Sequence, residues 1–286
     1  MFSKILPINL SANQIQRVSE WYGKQIDPII KANQTEFIAK LPPKKNAEET
    51  TYVMMDGSMV FTREEKWKEM KLCRIFHQGD DVKISPKRNE VIHSVYVSHF
   101  GSVDEFLPKL ERHLTQTRHL TFVCDGAPWI WNFVEDNYPG SKQILDFHHA
   151  VEKIELFAKN HFRNPEKKTV WLTEQKALLL NDQVAEVLHQ LSSLKPRNIE
   201  AKKAKQTAIH YYQQHEDRML YKTFKQQGLL IGSGPIEAAH RKVIQQRLKL
   251  SGQKWSIPGA QAIANLRCYK AGGSWNIIQN LIKLAA

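Results

Sequence analysis

The sequence predicts an α/β protein: a mixed five-stranded sheet flanked by helices, with an all-helical insertion before the last helices of the core. Three observations predict it. First, five short runs rich in β-branched and aromatic residues, TYVMMD, KLCRIFH, VIHSVYVSHF, LTFVCD and QILDF, are separated by turn or charge clusters, the composition of pleated, half-buried backbone. Second, the first three runs follow one another without a helix and suit an antiparallel meander, whereas the fourth is joined to the fifth through a helical stretch, as a parallel crossover requires. Third, from about Ala150 to Gln227 the chain is rich in Lys, Glu, Gln and Leu and reads as helices alone.

In chain order, Ser11 to Gln34 places Ile15, Val18, Trp21, Tyr22 and Ile26 at helical spacing behind Ser11 as N-cap. LPPKKNAEET, with paired prolines and charges, is a linker. SVDEFLPKLERHLTQT is a helix capped by Ser102, its apolar positions Val103, Phe106, Leu107, Leu110 and Leu114. WIWNFVEDNYPG is a second helix, leading into the fifth strand. After the glycine-rich GLLIGSGP, IEAAHRKVIQQRLKL puts Ile236, Ala239, Val243, Ile244 and Leu248 on one apolar face, with Pro235 in its first turn. Four regions result: 1–45, an N-terminal helical segment and linker; 46–150, the first part of the core; 151–227, the helical insertion; and 228–286, basic helices that complete the core.

The composition is that of a folded protein, with 42% hydrophobic and 24% charged residues. Lys and Arg number 41 against 29 Asp and Glu, a net charge of +12, which favours a polyanionic partner over an acidic surface. From Gly228 onward eight basic residues face a single acid, Glu237. Cys73, Cys124 and Cys268 lie far apart without a C-x-x-C pair, which argues against a disulfide framework or a cysteine zinc site. No apolar run approaches the length of a bilayer span and no signal peptide is apparent, so the expected location is the cytoplasm, with no membrane partner.

Acids stand at chosen places in this frame. Asp56 is expected to end the first strand and Asp125 the fourth, each followed by glycine. The expected order pairs those strands, so the carboxylates would emerge side by side and repel unless a cation neutralised them. Carboxylate oxygens are the ligands Mg²⁺ prefers, and two such ions about 4 Å apart can serve both the attacking and the leaving oxygen of a phosphodiester. Glu237, among positive charges, is the natural third acid. Each also has a plainer reading: D-G is a common turn dipeptide, and Glu237 suits the first turn of any helix.

The stretches MMDGSM, FVCDGAPWIW, ILDFHHA and GSGPIEAAHRKVIQQRLKLSGQKWS resemble the DDE transposases of bacterial insertion sequences, specifically the Mutator-related group with a D-x-x-H motif after the second aspartate. The resemblance covers the chain from about residue 50 onward. It implies an RNase H-like fold, Asp56, Asp125 and Glu237 as the triad holding Mg²⁺ or Mn²⁺ as a pair of ions, and Asp146 and His149 as the D-x-x-H pair. It further implies double-stranded DNA partners, the transposon ends and the target, with a homodimer on DNA. Residues 1–45 would be the remnant of a longer DNA-recognition region.

Several other residues join the expectation. His149 would hydrogen-bond a phosphate or the reacting water, with Asp146 orienting it or supporting the metal. Arg241, Gln245 and Lys249 share a stripe with Glu237 at steps of four and would follow DNA backbone together with Lys242 and Arg247. Trp255 would stack on an unpaired base or anchor a helix. Trp129 and Trp131 are expected to pack, and Gly126, after Asp125, to leave room for metal and phosphate. Two other functions suit the same residues: an RNase H-like nuclease that stops after hydrolysis, and a DNA-binding remnant without catalysis.

Overall fold

A computed structural model describes residues 10–285 except 33, 87 and 116. Five strands form one mixed sheet in the order β5-β2-β1-β6-β7, and a separate two-stranded sheet pairs β3 with β4. Helices flank this α/β sheet, as the sequence predicts. The strands are β1 Thr51–Thr62, β2 Lys66–His77, β3 Asp81–Ser85, β4 Arg88–Val91, β5 Val95–His99, β6 Leu120–Cys124 and β7 Lys142–Leu145. The chain divides into two compact units, residues 1–120 with 235–286, and residues 121–234.

In the first unit β1 pairs antiparallel with β2, and β2 with β5. Helix α1 (Ala12–Lys31) starts at Ser11, whose hydroxyl and the Gln14 side chain form a reciprocal capping box. Its second half buries Gly23, Ile26 and Ile30, while Ile15, Val18 and Trp21 stay exposed. Helix α2 (Val103–Leu114) is capped by Ser102. The long helix α11 (Ile257–Ala271) lies against α1 so closely that a Cβ on Gly23 would meet the Ala262 carbonyl at 2.2 Å. Asn265 donates to the Gly23 carbonyl (3.1 Å), Gln261 takes the Phe100 N–H (2.6 Å), and the Tyr269 hydroxyl donates to the Phe37 carbonyl (2.7 Å). Helix α12 (Trp275–Ala285) follows.

In the second unit β6 and β7 run parallel, register Cys124 to Leu145, joined through α3 (Pro128–Asn137). Five further helices follow: α4 Phe147–His161, α5 Pro165–Leu179, α6 Val184–Ser193, α7 Ile199–His215 and α8 Tyr221–Gln226. Phe157, Leu191, Ala201, Ala204 and Ala208 form their shared core, with Trp171, Leu194 and Ile209 packed against it. The small alanines of α7 let it approach α4, and Tyr212 donates to the Ala150 carbonyl (2.8 Å).

Three expectations need correction. Asp56 does not end a strand: β1 continues to Thr62 because Gly57–Thr62 find partners in Lys66–Lys71 of β2, so D-G is strand interior here and not a turn. VIHSVYVSHF is not one strand but the end of β4, a break at Ile92–Ser94, and β5. The β3–β4 hairpin is largely exposed and lacks the apolar alternation by which a strand is read. The stretch from Ile236 is not one regular helix: α9 (Gly234–Ala239) passes into a π-helical segment, His240–Gln245, and then α10 (Gln246–Leu248). Its expected apolar face is nevertheless buried throughout, from Ile236 to Leu248. Among the described residues no helix is long and apolar enough to cross a membrane, and all three cysteines are buried free thiols.

Candidate active site

In the first unit, Asp56 sits in the middle of β1, partly exposed, its Oδ1 accepting from the Gly57 N–H (2.7 Å). Its Oδ2 lies 3.3 Å from Nε2 of His240. His240 is 2% exposed, and neither ring nitrogen has an aligned hydrogen-bond partner. Burial pushes its pKa down to about 4 against the pull of Glu237, so the imidazole is neutral and the contact is not an ion pair. Glu237, one turn before His240 on α9, is exposed. Asp56 and Glu237, distant in sequence, therefore both neighbour one buried histidine.

The π-helical segment after Glu237 is held from α11. A π-turn displaces carbonyls from their usual partners, and Arg267 donates Nε to the Val243 carbonyl (2.6 Å) and Nη2 to that of Lys242. The extra residue per turn breaks the expected stripe at steps of four. Arg241 and Lys242 are exposed and Gln245 is half-buried, but Lys249 lies beyond the end of α10, where its ammonium donates to Ser58 Oγ on β1 (3.2 Å). Trp255 is 7% exposed, its ring covered by the Arg247 guanidinium at 4.7 Å. Its backbone joins β1, donating to the Phe61 carbonyl and accepting from the Arg63 N–H. It is an anchor, and the base-stacking expectation does not fit a covered ring.

In the second unit, Asp125 follows directly on β6. Its Oδ1 accepts from the Ala127 N–H (3.0 Å) and its carbonyl from the Trp131 indole (2.7 Å), leaving Oδ2 without a hydrogen bond among the described residues. Trp131 is buried beneath Arg218, whose guanidinium stands 4.6 Å from the ring, and Trp129 is half-buried. Two residues of α7, unmarked in the sequence, hold the turn: Tyr211 and His215 each hydrogen-bond the backbone of Gly126. A Cβ on Gly126 would lie 2.1 Å from the Tyr211 ring. The glycine thus makes room for a tyrosine rather than for metal and phosphate, and likewise Gly57 makes room for the Glu69 carboxylate.

Asp146, wholly buried, caps α4. Its Oδ1 takes the His149 N–H (2.7 Å) and lies 3.1 Å from His149 Nδ1, and its Oδ2 takes the Ser233 N–H. Burial alone would raise this carboxyl; the bonds from His149 and Ser233 outweigh it and bring it down to about 2. His149 is pushed up to about 9, chiefly by its bond to Asp146, against burial, and is an imidazolium at neutral pH. With both oxygens used, Asp146 orients His149 and pins the Ile231–Ser233 segment, whose Ile231 carbonyl accepts from Phe147 (2.9 Å).

Asp56, Asp125 and Glu237 each present a carboxylate that is not fully buried, the donor type Mg²⁺ prefers. Among the described residues no group of three or more His, Cys, Asp or Glu side chains stands gathered as a metal site. His240, Tyr211, His215 and Arg267 were not singled out from sequence. Only His240 carried a signal, lying one turn after Glu237 on the buried side of its helix.

No family model and no curated protein matches the chain. Among solved structures it is similar to a chain of the Drosophila P element transposase strand transfer complex, at 10% identity and a TM-score of 0.28, covering 96% of this chain and 81% of that one. A likeness of this size is too slight to say what the present chain does.

Proposed function

We propose that the chain is the catalytic region of a DNA transposase of the DDE kind, from a bacterial insertion sequence of the Mutator-related group, acting in the cytoplasm on transposon ends and target DNA as a homodimer. The observation that carries this reading is the approach of Asp56 and Glu237 to His240, which joins two of the three acids of the resemblance from opposite ends of the sequence. Asp56, Asp125 and Glu237 would hold Mg²⁺ or Mn²⁺, as a pair of ions. Such ions, when bound, supply Lewis-acid stabilisation of the phosphodiester and a water acidic enough to attack it.

The protein's own part is positional. Asp125 is presented on a turn packed against Tyr211, His215 and Trp131, and its carboxylate would contribute to holding the ions. The neutral imidazole of His240 stands against Asp56 without adding positive charge, so Asp56 keeps its full negative charge for a cation. His149, an imidazolium held by Asp146, supplies a fixed positive donor for a phosphate oxygen. Arg241 and Lys242, exposed after Glu237, meet the DNA backbone. The first displacement frees a 3′-hydroxyl at the transposon end, and the second uses that hydroxyl on target DNA.

The test is strand transfer from duplexes carrying the DNA that flanks the gene into a supercoiled plasmid, with Mg²⁺ or Mn²⁺. Asp56→Ala, Asp125→Ala and Glu237→Ala should each lower cleavage and joining by at least about a thousandfold while DNA binding persists. Cleavage by the Asp125→Ala protein at the wild-type rate would sink the assignment. Hydrolysis without joining would replace it by the nuclease reading.

A further inference from the structure

The helical insertion carries a groove of about 500 Å³ where α6 turns into α7, lined by Lys195, Arg197, Asn198, Ile199, Lys202 and Lys205. From Lys195 to Gln206 five basic residues face one acid, Glu200. The floor of the groove is fixed. Lys205 donates to the carbonyls of Ser192 (2.6 Å) and Leu194 (2.8 Å), tying the end of α6 to α7. Asn198 caps α7 through the Ala201 N–H (2.7 Å) and donates to the Asn160 carbonyl (3.2 Å) at the end of α4.

The rim is different. Lys195, Arg197 and Lys202 are exposed, and among the described residues none of them forms an ion pair or a side-chain hydrogen bond. Elsewhere in the same unit two long basic side chains are matched, Lys176 with Glu155 at 2.7 Å and Arg218 with Glu135. Three unmatched cations around one fixed depression repel one another, and that cost is recovered when a polyanion lies among them. The half-buried His161 feels the same field: after burial itself, Arg197 and Lys205 are what push its pKa down.

We infer that this groove binds the phosphate backbone of duplex DNA. The surface has the two parts such contacts need: long flexible cations on a rigid base, and an apolar residue, Ile199, 69% exposed between them, to lie against deoxyribose. A protein carrying +12 overall adds long-range attraction for a polyanion of that length. The inference rests on the reading that the chain acts on DNA, and it assigns a specific surface to part of the binding.

The experiment measures affinity of the full chain for a random-sequence DNA duplex by fluorescence anisotropy over a range of salt, without divalent metal. Reversing two rim charges together, Arg197→Glu with Lys202→Glu, should weaken binding by about 10- to 100-fold at low salt and reduce the salt slope by about 2, near 0.9 per lost phosphate contact. Arg197→Gln with Lys202→Gln should fall between, which guards against misfolding of the reversed protein. Lys167→Glu with Lys168→Glu, equal in charge on α5, should lose clearly less. Unchanged affinity and slope in the Arg197/Lys202 variants, or an equal loss in the α5 control, overturns the inference. So does polyglutamate competing as well as DNA at equal charge, since the groove would then be reading acidic peptide. Failure of the transposase reading shows separately, as absent metal-dependent cleavage with groove-dependent DNA binding intact.

Discussion

Two histidine–aspartate contacts in this molecule have opposite chemistry. His149 meets Asp146 at 3.1 Å in one unit and is charged; His240 meets Asp56 at 3.3 Å in the other and is neutral. The distances barely differ, so distance does not decide. What decides is the balance of solvation against aligned hydrogen bonds. His149 keeps 29% of its side chain exposed and shares a helix N-terminus with a carboxylate that takes both its backbone and its ring. His240 keeps 2%, and burial outweighs the pull of Glu237 and of the Asp56 backbone on its ring. An aspartate beside a histidine therefore means a fixed positive group in one place and an uncharged packing group in the other.

The sharpest way to break the comparison is to remove Asp146. Asp146→Ala strips the acceptor from two backbone N–H groups and leaves the His149 ring without its counter-charge. We expect a loss of about 3–5 kcal/mol in urea unfolding, the usual cost of breaking a buried, hydrogen-bonded ionic group from one side. A loss under about 1 kcal/mol would show that the pair contributes nothing to the fold.

A smaller effect separates the two histidines by pH. The His149 pKa is raised from 6.5 to about 9 on folding, so its contribution is complete below about pH 6.5 and is lost as pH rises through about 9. The Asp146 pKa is lowered from 3.8 to about 2, so its contribution is complete above about pH 4 and is lost as pH falls through about 2. The pair therefore stabilises fully between about pH 4 and 6.5. His149→Gln should remove about 1–2 kcal/mol of alkaline stability loss, after allowing for screening of a partly exposed ring, measured as the difference in unfolding free energy between about pH 6 and pH 9.5. An alkaline loss that persists in the variant would assign it to another group.

Much of this frame was legible in the sequence. Four of the five β-rich runs announced single strands, and the third, VIHSVYVSHF, hid a break between β4 and β5 because its residues are as apolar across the break as within the strands. Ser11 and Ser102 announced two helix starts, since a hydroxyl before an apolar-periodic segment has a specific acceptor role. Asp125 was placed correctly at a strand end, Asp56 was not, and the reason is tertiary: whether D-G turns depends on whether the neighbouring strand continues, and β2 continues. The π-helical segment was illegible because the side chain that caps its carbonyls, Arg267, lies on another helix. Tyr211 and His215 were illegible for the same reason, as residues of the insertion that act on Gly126, far away in sequence.

The smallest expected effect tests the neutral member. A buried imidazole whose nitrogens lack aligned partners adds packing but loses hydration, so replacing it by an apolar side chain of similar volume removes the unsatisfied groups with little else. His240→Leu should therefore change unfolding free energy by less than about 1 kcal/mol, in either direction, and leave the pH dependence between about 6 and 9 unaltered. The wild-type ring should show no titration by nuclear magnetic resonance until about pH 4. A destabilisation above about 2 kcal/mol, or a ring that titrates near neutrality, would mean that Asp56 holds His240 as firmly as Asp146 holds His149. Asp56 would then be partly neutralised by its own protein and less available to a cation, which bears directly on its proposed role as a ligand.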